Sequence, residues 1–200
     1  MGRHREFNED TVLDAALKIF WDKGFEGTSF EDLTRATRVA RPGLYSAFGN
    51  KEALFRKALD RYEDRYMRFM SEALEAPTSR EVVRTILQGA VALMTLNDES
   101  RGCLGINGAL ACSDDGAAIQ EELVARRKMA ESALCVRLKA ARDQGDLPAL
   151  ADCTMLASYV MTLNHGMAIQ AKSGTPKASL NVLIDHVLSS WPSADVTAGT

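Results

Sequence analysis

Residues 28–55 read Thr28-Ser-Phe-Glu-Asp-Leu-Thr-Arg-Ala-Thr-Arg-Val-Ala-Arg-Pro-Gly-Leu-Tyr-Ser-Ala-Phe-Gly-Asn-Lys-Glu-Ala-Leu-Phe55. Thr28 to Glu31 has the form of a capping box: the Thr hydroxyl can bond the third amide of a helix while Glu31 reaches back to the cap amide. Phe30, Leu33 and Ala36 then supply an apolar stripe for a short helix ending near Thr37. Pro42 suits the first turn of the next helix because it lacks an amide hydrogen. Leu44, Ala47 and Phe48 face inward until Gly49 ends that helix. The intervening turn, Thr37 to Ala40, gives helix-turn-helix spacing, with an antiparallel helix hairpin in an all-α core as the plainer alternative.

Helical punctuation continues on both sides. Upstream, Asn8 can cap a helix carrying Val12, Leu13, Ala16, Leu17 and Phe20 up to Gly24. Downstream, Asn50 can cap a long helix of about 25 residues, apolar at Leu54, Phe55, Ala58, Leu59, Tyr62, Tyr66, Phe69, Met70 and Leu74, running to Pro77. Ser79 opens another, to about Asn97. A glycine-bearing stretch, Arg101 to Gly108, leads to a short apolar helix near Ala109 to Ala111. A helix of about 28 residues from Gly116 to Gly145 follows, then helices at about 149–172 and 177–191 with apolar residues on more than one side. No strand-like alternation appears, so the expected fold class is all-α. The expected division is a helix-turn-helix domain at 1–50, a helical domain at 51–192 and a frayed tail at 193–200.

The chain has 200 residues, 46% hydrophobic and 26% charged, which excludes disorder and a coiled coil alone. No apolar run suggests a membrane span or a leader, so a cytoplasmic location without membrane contact is expected. Its four cysteines, at 103, 112, 135 and 153, lack metal-ligand or disulfide spacing and read as reduced thiols, and no metal or cofactor is implied. From Leu33 to Lys57, however, Arg35, Arg38, Arg41, Lys51, Arg56 and Lys57 face a single acid, Glu52, in a chain of net charge -3. An acidic protein with one basic window has a place to meet phosphate, although a basic solvated helix face would look the same.

The residue 28–55 string resembles the N-terminal domain of the TetR/AcrR family of bacterial transcriptional regulators. That pattern has a capped second helix followed by Val-Ser-x-x-x-Leu-Tyr-x-x-Phe-x-x-Lys-x-x-Leu, and Val39, Leu44, Tyr45, Phe48, Lys51 and Leu54 occupy its places. Ala15 to Phe20 and Gly24 to Thr28 are also similar to that family's first helix and its exit. Two departures stand out: Arg38 where the family usually has Gly in the turn, and Ala40 where it has Ser or Thr. A left-handed Arg38 would cost about 1–2 kcal/mol, and Ala40 forfeits a cap typically worth about 1 kcal/mol.

Arg41, with a planar fork of donors at the start of the third helix, is the candidate for a guanine contact, with Pro42, Gly43 and Ser46 nearby. The resemblance implies that Tyr45 clamps the DNA backbone, and Lys51, in a helix first turn, is expected to do the same. Thr28 or Ser29 would bind phosphate at the start of the second helix, and Arg3 and Arg5 could form a basic arm or simply be solvated.

The resemblance also implies a C-terminal domain that binds a small effector and forms a homodimer through its last two helices, reading a near-palindromic double-stranded operator, most often as a repressor. Tyr62, Tyr66, Met70, Met94, Asn107, Met129 and His165 are candidate wall positions, though such residues at helical spacing also serve as plain core. Cys103, after Arg101 and Gly102, is a candidate ligand-site or electrophile-sensing thiol, with a buried inert thiol as the alternative. Two rival classes remain: a helical adaptor that has lost DNA binding, and an enzyme using Cys103 or Cys112 with His165. The latter lacks an ordered loop motif, a carboxylate pair or a phosphate loop.

Overall fold

Asn8 stops the chain from entering its first helix frayed: its Oδ1 accepts from the Thr11 amide at 3.1 Å, and Glu9 and Asp10 sit favourably in the positive first turn. The computed structural model describes residues 7–96, 102–107 and 116–194. Among these, the elements are α1 (Glu9–Lys23), α2 (Phe30–Thr37), α3 (Arg41–Phe48), α4 (Lys51–Tyr66), α5 (Arg68–Leu74), α6 (Ser79–Met94), α7 (Leu104–Asn107), α8 (Ala117–Asp143), α9 (Cys153–Lys172) and α10 (Lys177–Ser189). The described residues are all-α, as expected. Among the described residues no helix is long and apolar enough to cross a membrane.

Two compact units share the chain. The first comprises Met1–Tyr66 and Leu104–Val124, and the second Met67–Cys103 and Ala125–Thr200. The first includes α4, which packs on α1. Phe20 and Phe55 meet edge to face at 5.1 Å, Phe25 meets Phe55 at 5.3 Å, and Trp21 meets Tyr62 at 4.8 Å. Such pairs contribute about 0.5–1.5 kcal/mol each beyond the area they bury. Leu33, Leu44 and Phe48 carry α2 and α3 onto this core, so two short helices gain a fixed geometry that neither could hold alone.

In the second unit α6 packs against α5, α9 and α10. A Cβ at Gly89 would lie 2.5 Å from the Phe69 ring, so only glycine lets α5 and α6 cross this closely. The end of α10 is held from α6: the Trp191 indole donates to Ser79 Oγ at 3.1 Å and Arg80 Nε donates to the Leu188 carbonyl at 3.1 Å. Arg137 of α8 donates to the carbonyls of Leu74 at 2.9 Å and Ala76 at 2.7 Å, which satisfies acceptors where α5 ends.

Several expected boundaries shift. The long fourth helix breaks at Met67 (φ -103°, ψ 9°) without Pro or Gly. The break separates α4, packed on α1, from α5, packed on α6, so tertiary packing overrides a continuous apolar pattern. Thr78 rather than Ser79 caps α6, leaving the Ser79 amide to donate to Asp146 Oδ2 at 2.6 Å. Helix α6 ends at Met94, and α9 starts at Cys153 rather than near 149, where Asp152 Oδ1 accepts from the amides of Thr154 and Met155. The segment Leu104–Asn107 is helical within the glycine-bearing stretch, while the helix expected near 109–111 lies outside the described residues.

Candidate nucleic-acid interface

Ser29, one residue later than expected, caps α2. Its Oγ accepts from the Asp32 amide at 3.1 Å, and Asp32 Oδ2 accepts from the Ser29 amide at 3.1 Å, completing the capping box with Asp32 in place of Glu31. Lys23 donates to Asp32 Oδ1 at 2.7 Å. That bond first, and then those from Ser29, hold the Asp32 carboxyl well below the usual carboxylate range. Thr28 is fully buried and its hydroxyl donates to the Gly24 carbonyl at 2.6 Å. Of the two hydroxyls expected at phosphate, the Ser29 side chain alone is at the surface.

The turn carries the strain foreseen from its residues. Arg38 is left-handed at φ 58°, ψ 23°, and its amide donates to the Thr34 carbonyl at 2.9 Å. Thr37 Oγ1 donates to the Leu33 carbonyl and accepts from the Val39 amide at 3.3 Å, which steers the chain out of α2. Ala40 offers no side-chain cap, as expected, and Pro42 sits in the first turn of α3. Gly43 also has a packing reason. A Cβ there would lie 2.9 Å from Val39 Cγ1, so the glycine admits the turn against α3.

Leu44 and Phe48 face the core, and Arg41, Pro42, Tyr45 and Ser46 face solvent. Tyr45 is 40% exposed and stacks on Phe30, ring centroids 5.0 Å apart at 25°. The Arg41 guanidinium carbon lies 4.2 Å from the Phe30 centroid and 5.3 Å from that of Tyr45, and Arg41 Nη2 donates to Tyr45 Oη at 3.0 Å. Lys51 opens α4 beside its cap, where Asn50 Oδ1 accepts from the Ala53 amide at 2.8 Å. Its Nζ is 4.4 Å from the Phe25 centroid. Burial pushes the Lys51 ammonium below its ordinary pKa, and the Glu26 charge opposes that shift.

The basic window thus divides by partner. Arg35 pairs with Glu31 and Asp32, and Arg56 with Glu52 and Glu122. Arg41 and Lys57, both exposed, lie instead over the rings of Phe30 and Phe48, and half-buried Lys51 lies over Phe25 with the Glu26 charge also acting on it. Spacing along the sequence missed Phe30 and Phe25 as parts of this surface. The available signal was an aromatic at each end of the loop between α1 and α2. Arg3 and Arg5 lie outside the described residues.

The expected effector residues fall in both compact units. Tyr62, Tyr66 and Asn107 gather in the first unit around Trp21: Tyr62 is 1% exposed, Tyr66 stands 5.1 Å from the Trp21 ring, and Asn107 Nδ2 donates to the Trp21 carbonyl at 2.9 Å. Met94, Cys103, Met129 and His165 belong to the second unit. Met94 is buried, Cys103 half-buried, and Met129 is 72% exposed, which removes it from any enclosed wall formed by this chain alone. Met70 is also half-buried. Burial, reinforced by Arg127 and opposed by Glu131, lowers the His165 pKa. Cys135 is half-buried and Cys153 buried, while Cys112 lies outside the described residues. Among the described residues no His, Cys, Asp and Glu side chains cluster as a metal site.

Comparison with known proteins agrees with this geometry. The profile of bacterial regulatory proteins, tetR family, matches residues 12–58. The HTH-type transcriptional repressor ComR of Escherichia coli (strain K12) is 34% identical over 193 residues, covering 96% of this chain and 92% of ComR. A cysteine mutant of the TetR family regulator CifR, complexed with 26-base-pair double-strand operator DNA, is 36% identical, with a TM-score of 0.90 over 96% of this chain and 100% of that one. A TetR regulator from Rhodococcus sp. RHA1 is 37% identical, with a TM-score of 0.64 over 92% of this chain and 98% of that one. The chain belongs to the TetR family of bacterial regulatory proteins. It is a DNA-binding transcriptional regulator and not an enzyme, so the catalytic pairing of Cys103 or Cys112 with His165 falls away.

Proposed function

We propose that this regulator is a cytoplasmic repressor that binds a near-palindromic double-stranded operator as a homodimer and leaves it when a small molecule binds. The carrying observation is the outer face of α3, where Arg41 and Tyr45 form one donor-rich surface on a helix whose opposite face is locked into the core. A recognition helix offers donors to base edges and phosphates in this way. Arg41 is the base reader, Ser46 lies beside it, and Pro42 presets the helix start. Tyr45, Lys51 and Ser29 are the phosphate contacts. CifR is described in complex with operator DNA and ComR as a repressor, which favours operator binding and repression here.

Dimerisation accounts for apolar side chains that a lone chain would leave in water: Met155, Tyr159 and Ile169 of α9, with Val182 and Leu183 of α10. A twofold pair would set two recognition helices one or a few DNA turns apart. Met94, Cys103 and His165 are the second-unit residues offered to the effector, whose coupling to DNA equals its preference for the released state.

Sedimentation velocity with and without mixed-sequence duplex DNA at low salt tests this reading. Two-copy protein that co-sediments with DNA and dissociates as salt rises is expected. A one-copy protein that never joins the DNA boundary would favour the adaptor reading.

A further inference from the structure

Phe30 opens α2 and Tyr45 stands in α3, yet their rings stack 5.0 Å apart, with the Arg41 guanidinium carbon 4.2 Å from the Phe30 centroid. We infer that Phe30 is a positioning residue for DNA sequence reading: its ring is the platform that fixes Arg41 and Tyr45 as a single contact unit. The inference rests on the DNA-binding reading of α3.

Phe30 has no polar atom with which to read a base edge, so its contribution passes through its neighbours. An exposed Arg at a helix start samples many rotamers, and ordering it at the moment of binding opposes affinity. Here the guanidinium is already placed by two π faces and by its bond to Tyr45 Oη at 3.0 Å. That bond also directs the tyrosine hydroxyl. Because Oη accepts from a cation, its own O–H is left to point elsewhere and becomes a stronger donor, suited to an anionic phosphate oxygen. Arg41 keeps further N–H groups for a base edge. One aromatic residue outside the recognition helix thereby couples the base contact to the backbone contact.

A double-mutant cycle separates this role from simple packing. Wild type, Phe30→Leu, Arg41→Ala, the double variant and Phe30→Tyr are compared on a random-sequence duplex library and on the duplex that wild type enriches. Leucine keeps apolar bulk but has no π face. Phe30→Leu is expected to weaken binding about three- to tenfold and to relax preference at the base position that Arg41→Ala also relaxes. In the Arg41→Ala background the same change should matter less than about twofold, and Phe30→Tyr should bind like wild type.

Equal loss with and without Arg41, unchanged binding by Phe30→Leu, or failure of Phe30→Tyr to rescue would overturn the positioning role while leaving DNA binding intact. Enrichment of no sequence by wild type would overturn the DNA-binding reading and this inference with it. If Phe30→Leu melts well below wild type, Phe30→Met replaces it in the cycle with the same expectations.

Discussion

Arg56 Nε of α4 donates to Glu122 Oε2 of α8 at 2.8 Å, joining residues 66 positions apart within one compact unit. The same guanidinium reaches Glu52 at 3.3 Å, and its bond to Glu122 is the leading cause that raises the Arg56 pKa. Both partners remain partly solvated, so the pair contributes modestly. Glu122→Gln is expected to cost about 0.5–1 kcal/mol and to lower the thermal midpoint by about 1–4 °C, an effect that salt should reduce. Thermal melts at low and high salt check it.

Arg38 holds a left-handed conformation that glycine adopts without strain. Arg38→Gly is expected to gain about 1 kcal/mol, raising the thermal midpoint by about 2–4 °C, whereas Arg38→Ala keeps the strain and gains nothing. Calorimetry on both variants separates backbone strain from loss of the charge.

The lowered pKa of Asp32 links the start of α2 to pH. A carboxyl whose folded pKa lies below its unfolded value stabilises fully above the unfolded pKa and loses that stabilisation as pH falls toward the folded value. Melting of wild type between about pH 5 and pH 2 should therefore fall more steeply than that of Asp32→Asn, which has no carboxylate to protonate. Parallel curves would contradict the assignment.

Lys51 sits at the first turn of α4 and is assigned to phosphate. Lys51→Gln is expected to weaken binding to every duplex alike and to reduce the slope of log affinity against log salt by about 1. Arg41→Ala should relax preference at one base position by about 1–3 kcal/mol. Competition between matched and mismatched duplexes distinguishes the two.

Leu183 is 48% exposed on α10. Leu183→Glu places charge on the apolar face assigned to the second copy and is expected to convert a two-copy species into single chains. Sedimentation velocity across a concentration series is the check.

The sequence made the helix-turn-helix legible because its signals are local: a hydroxyl before an acidic turn, Pro42 at a helix start, Gly49 at a stop and apolar residues at helical spacing. The errors arose where local signals were duplicated or absent. Thr28 and Ser29 are adjacent hydroxyls, each with an acid three residues on, and the buried bond of Thr28 to the Gly24 carbonyl decides between them. At 78 and 79 hydroxyls are again adjacent, but only Thr78 has an acid, Glu81, three residues on, and Thr78 is the cap. Nothing at Met67 marks a break, because that break follows from which neighbours α4 and α5 pack against. The place of Arg41 at the exposed start of α3 is legible in the sequence, but its contact with Phe30 is not, since that contact crosses the turn between two helices.

Selection of bound fragments from a random duplex library at near-physiological salt, with wild type and Tyr45→Ala in parallel, tests the central claim most directly. The account expects wild type alone to enrich an inverted repeat with half-sites one or a few DNA turns apart. Enrichment of no sequence by wild type, or the same enrichment by both proteins, would contradict it.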